Sequence, residues 1–138
     1  MALLATAGAA ATAGAAKPRH VNDSAHLHLI ASRGGNDLTE KGSARGTLPG
    51  IVTVSLTIHT RTASSSFTID VKGGGSITGK GSGVLKTGKG GYASFGGSIT
   101  VTGGTGKYAH ASGKGGLYGT IYRLNDSMTV KVTGALHY

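Results

Sequence analysis

The sequence predicts an all-β protein, a single closed antiparallel barrel of about eight strands, rich in glycine and with little or no helix. Three observations lead there. Apolar and polar residues alternate with period two along most of the chain, and a helical period of 3.6 is absent. The alternating runs are short and separated by Gly, Asn, Asp and Ser, the residues of tight turns. Finally, the chain has 26 glycines and no cysteine in 138 residues, so a small fold without disulfides needs another means of closing its edges. A barrel supplies it by pairing every strand.

The clearest strand is 51–60, with Val52, Val54, Leu56 and Ile58 on one face and Thr53, Ser55, Thr57 and His59 on the other. Phe67, Ile69 and Val71 follow against Thr68, Asp70 and Lys72. A hairpin ends the chain: Leu117, Gly119 and Ile121 run up to the turn Leu124-Asn125-Asp126-Ser127, and Met128, Val130 and Val132 return from it. Weaker alternation marks 25–31, 42–48, 75–83 and 92–102. Gly79, Gly81, Gly83, Gly97, Gly113, Gly115 and Gly119 fall on the apolar phase, which suits a strongly curved sheet whose small residues let Phe67 and Phe95 cross the lumen. Gly-Gly-Ser-Ile-Thr recurs at 74–78 and 96–100, and Thr-Gly-Lys-Gly at 78–81 and 87–90. Neither continues at a fixed period, so repeated hairpins fit better than a solenoid.

The barrel domain is expected over 24–138, after a flexible polar lead-in at 17–23. Residues 1–16 are Ala-rich, apolar and uncharged, with Ala13-x-Ala15 matching a signal-peptidase site, so they read as the remnant of a signal peptide. The basic stretch that opens a leader is missing, which fits a start further upstream. A secreted or cell-envelope location follows. No other apolar run reaches the ~20 residues of a membrane helix.

The net charge is +9, and from Lys72 onward eight basic residues face one acid, Asp126. Such a surface attracts anionic polymers, among them acidic wall polymer. Specific nucleic-acid binding also wants stacking aromatics among the charges, and aromatics are only 5% of the chain, so it is not expected.

The segment Gly103-Gly104-Thr105-Gly106-Lys107-Tyr108-Ala109-His110-Ala111-Ser112-Gly113 resembles the Gly-Gly-Thr-Gly-basic-aromatic-x-x-Ala-x-Gly signature of the allene oxide cyclase and dirigent superfamily, most of all its small exported bacterial members. The resemblance implies an eight-stranded antiparallel barrel around an apolar cavity, which plant members use to orient reactive intermediates during ring closure or radical coupling. Dirigent proteins commonly carry arginines where this chain has Ala109 and Ser112, so that activity does not transfer. Plant members tend to trimerise through apolar outer faces. The outer phase here is Thr, Ser and Lys, which predicts a monomer.

With the apolar phase inward, the lumen candidates for ligand contact are Leu27, Leu29, Val54, Leu56, Phe67, Ile69, Phe95, Val101, Ile121, Arg123 and Val130. Arg123 is the one charge on that phase, and general acid–base catalysis needs a titratable group at the substrate. Two imidazoles share a face at His26 and His28, but that spacing supplies only two ligands, so no metal site is expected. No motif calls for a cofactor, and no catalytic residue is identified. The leading expectation is a non-catalytic barrel that binds a small apolar molecule in its lumen or at its mouth. Two alternatives remain: a cofactor-free cyclase or isomerase acting by positioning, and a basic envelope protein adhering to anionic wall polymer.

Overall fold

The computed structural model describes residues 18–138. Eight strands follow one another: β1 (Arg19–Arg33), β2 (Asp37–Gly46), β3 (Gly50–Ile58), β4 (Thr62–Val71), β5 (Ser76–Thr87), β6 (Tyr92–Gly104), β7 (Ser112–Tyr122) and β8 (Ser127–His137). Each pairs antiparallel with the next, and β8 pairs back onto β1 through Ala25↔Val130 and its neighbours, so the barrel is closed. One three-residue 3-10 turn, Gly106–Tyr108, interrupts the β6–β7 connection. The expected fold class and the leading strands are all present.

Several boundaries differ from expectation: β3 stops at Ile58, β4 begins at Thr62, five residues before Phe67, and β5 runs on to Thr87, and the starts of β1 and β2 differ too. β1 begins at Arg19, where a flexible lead-in up to Asp23 was expected. Arg19 to Asp23 pair with Leu136 to Val132, and Val21 and Asp23 continue the inward phase of Ala25 and Leu27. Polar composition hid a strand that closure requires, because without these residues the upper half of β8 would be a bare edge. β2 begins at Asp37 rather than near Gly42, its inward phase running Leu38, Glu40, Gly42, Ala44. The proposed leader at 1–16 lies outside the described residues.

The interior is asymmetric. Bulky inward side chains come from all eight strands, but the inward glycines are concentrated on β5 to β8, where Gly79, Gly81, Gly83, Gly97, Gly113, Gly115, Gly119 and Gly134 leave backbone as part of the wall. Sterics explain why. A Cβ at Gly79 would lie 2.6 Å from the Phe67 ring, and one at Gly119 would lie 2.9 Å from the Phe95 ring. Each phenyl therefore occupies the space its cross-strand neighbour leaves empty.

Both ends are tied. At the lower end, Arg123 Nε donates to Asp126 Oδ1 at 2.6 Å and Arg123 Nη2 donates to the Gly35 carbonyl at 2.7 Å, joining the β7–β8 turn to the β1–β2 turn. Asp126 adopts a left-handed φ of 56°, and Asn125 Oδ1 accepts the Ser127 amide, as tight Asn/Asp turns do. At the upper end, Tyr108 is buried after the 3-10 turn with its ring centroid 4.9 Å from that of Tyr138. Lys107 Nζ stands 5.4 Å from the Tyr108 centroid, and Arg19 bonds the Tyr138 hydroxyl.

Candidate functional site

The inward apolar phase creates a cavity of about 160 Å³ in the middle of the barrel. Buried apolar side chains mark its two ends. Leu38, Ile58 and Ile121 are buried below, and Leu48, Ile77 and Leu136 above. Between them Leu85, Phe95, Ile99, Leu117 and Val130 face inward yet stay only half-buried, because they line the void. Its walls are almost wholly apolar. For scale, a cavity of about 150 Å³ lined by Leu, Ile and Phe stays dry and takes up benzene.

Nine of the eleven expected lumen residues line this cavity: Leu27, Val54, Leu56, Phe67, Ile69, Phe95, Val101, Ile121 and Val130. Two do not. Leu29 packs against the core beside the β1 bulge that follows it, one step below the cavity. Arg123 belongs to the turn just past β7, where its guanidinium is spent on Asp126 and Gly35, so no cation enters the lumen from it.

Sequence reasoning missed two interior acids. Asp23, 8% exposed, lines the upper cavity. Its Oδ1 accepts the Leu48 amide at 2.8 Å and so braces the β2–β3 turn, while Oδ2 is buried without a partner. Burial raises its pKa, and the backbone amides of Leu48 and Thr47 partly oppose the rise. Glu40 is 0% exposed, the cross-strand partner of Leu29 on β1 and of the cavity-lining Val54 on β3. Neither carboxyl oxygen has a hydrogen-bond partner. Burial, with a smaller contribution from the Asp126 charge, pushes Glu40 up to about 7. Extending the Gly42–Ala44 alternation back by two steps puts Glu40 on the inward face, a signal available in the sequence.

His26 and His28 are exposed on the outer face, and His59 is exposed past the end of β3. Among the described residues no three His, Asp or Glu side chains converge as a metal site would require. No described helix is long and apolar enough to cross a membrane. The outer face is mostly Ser, Thr, His and Lys, with Ile30, Ile51, Val84, Tyr92 and Tyr118 exposed among them.

Fold and site together define a small closed β-barrel, apolar and faintly acidic within, basic without. No protein-family model matches the chain, and no curated protein or solved structure is significantly similar to it.

Proposed function

We propose that this barrel is an exported, non-catalytic carrier that holds one small apolar molecule in its lumen. The observation that carries the reading is the apolar void of about 160 Å³ in the middle of the barrel, where filling the space with side chains would be the more stable arrangement. The volume suits a molecule near the size of one aromatic ring and argues against long acyl chains. The test is a titration with benzene, followed by methyl resonances of Ile99, Leu117 and Val130. Saturable shifts at these residues support the reading. Unchanged lumen resonances, or shifts confined to the outer face, contradict it.

Glu40 supports a second reading, a cofactor-free cyclase or isomerase that works by confining a reactive conformer. A carboxyl that titrates near neutrality one strand from the cavity wall is suited to lend or take a proton. Turnover of a small unsaturated epoxide that follows the Glu40 titration and vanishes in Glu40→Gln would favour this reading over the carrier.

A further inference from the structure

The outer face of β5 to β8 carries a feature that neither packing nor turn geometry requires. Two of its glycines, Gly96 and Gly116, sit mid-strand with outward-pointing Cβ positions. A Cβ built on Gly96 would meet nothing nearer than the Leu117 carbonyl at 3.9 Å, and one on Gly116 nothing nearer than the Gly97 carbonyl at 3.8 Å. Neither residue has a positive φ. Mid-strand glycine weakens a sheet, so both positions give up stability where almost any residue would fit.

What they do is uncover Tyr118. Gly96 is its cross-strand neighbour on β6, and Gly116 precedes it by two on the same face of β7. Tyr118 is left 54% exposed, with Lys131 as its partner on β8. Hydroxyls, ammonium groups and Val84, the exposed partner of Gly96 on β5, border the resulting trough. Ser98 and Thr133 flank Gly116, and one row away Lys80 and Lys114 stand either side of Thr100, about 10 Å apart by strand spacing. The only acid from Ser76 to Tyr138 is Asp126, held by Arg123 in the lower turn. The face is thus a bare aromatic platform, extended by Val84, among hydroxyls and unopposed lysines.

We propose that this trough binds an anionic polysaccharide. The apolar C–H face of a sugar ring lies on Tyr118, Ser98 and Thr133 bond its hydroxyls, and Lys80, Lys114 and Lys131 meet its acidic groups. Charge alone would attract any polyanion; the glycine-flanked tyrosine adds a demand for a ring thick enough to fill the trough. This inference is independent of the lumen and of what the lumen holds.

The test uses the full chain and a heparin octasaccharide as probe, with linear polyphosphate, dextran and single-stranded DNA for comparison. Heparin is expected to bind more tightly than polyphosphate or DNA of equal charge, dextran weakly, and moderate salt is expected to weaken the heparin complex. Gly96→Val with Gly116→Val fills the trough without touching charge. It is expected to lower heparin affinity about tenfold while melting at the same temperature or higher, since valine suits a strand. Tyr118→Ala, on an exposed side chain, is expected to lose a similar factor and Tyr118→Phe to restore it. Heparin failing to bind, polyphosphate or DNA binding equally well, or parent-like affinity in the Tyr118→Ala variant would each overturn the proposal.

Discussion

Glu40→Gln is the perturbation whose consequence follows most directly from the barrel interior. The carboxyl is fully buried, both oxygens lack partners, and its pKa rises from the ordinary 4.5 to about 7. The unfolded chain therefore releases this proton near pH 4.5 while the folded barrel keeps it until about 7. Between those values the native state binds more protons than the unfolded state, so stability falls as pH rises, and the loss is complete above about 7. The interval corresponds to about 3 kcal/mol. Glutamine has nearly the same shape and stays neutral. The variant should match the parent at pH 4, where the parent carboxyl is protonated in both states, and exceed it by about 3 kcal/mol at pH 8. In a domain of this size that is a rise in Tm of about 10 °C. Urea denaturation of both proteins from pH 4 to 8 measures it directly, the difference between the two curves cancelling the other titrating groups. A constant difference across that range, or a variant weaker than the parent at pH 8, would show that Glu40 is solvated or paired and refute the reasoning.

Asp126→Asn removes the one charge that adds to the burial of Glu40, so an NMR titration of Glu40 in that variant should move to lower pH, by less than burial itself contributes. Gly79→Ala should cost about 1–3 kcal/mol in chemical denaturation because its methyl meets the Thr100 carbonyl and the Phe67 ring; Phe67→Leu in the same chain should recover the share due to the ring, and additive losses would count against that contact. Starting the chain at Ser24 should sharply destabilise the barrel in a thermal melt, since it removes the β1 residues paired with Val132 to Leu136 and the Asp23 brace on Leu48. A chain so shortened that melts like the parent would return residues 19–23 to the status of a lead-in.

Most of the barrel was legible because alternation and burial coincide. Val52 to Ile58 and, but for Gly119, the hairpin around Asn125 carry aliphatic residues or methionine at every second position, and both fall where the pattern puts them. The glycine-rich inner phase was legible too, since Phe67 and Phe95 need empty neighbours. What escaped was every place where a polar residue occupies the inward phase. Asp23 and Glu40 broke the apolar pattern, so the strands carrying them were read too short, and the two acids inside the barrel went unseen. Arg123 erred the other way: one residue past a strand end the period no longer fixes direction, and the turn's own hydrogen bonds claim the side chain. The phase of Gly96 and Gly116 was fixed by alternation, but that they leave a tyrosine bare needed the β6–β7 register.

The central claim is that the middle of the barrel is empty and greasy. Crystals of the protein pressurised with xenon test it with no assumption about the natural ligand. Xenon density is expected on the barrel axis among Ile99, Leu117 and Val130. Side chains meeting across that axis, with xenon excluded or ordered water in its place, would contradict it.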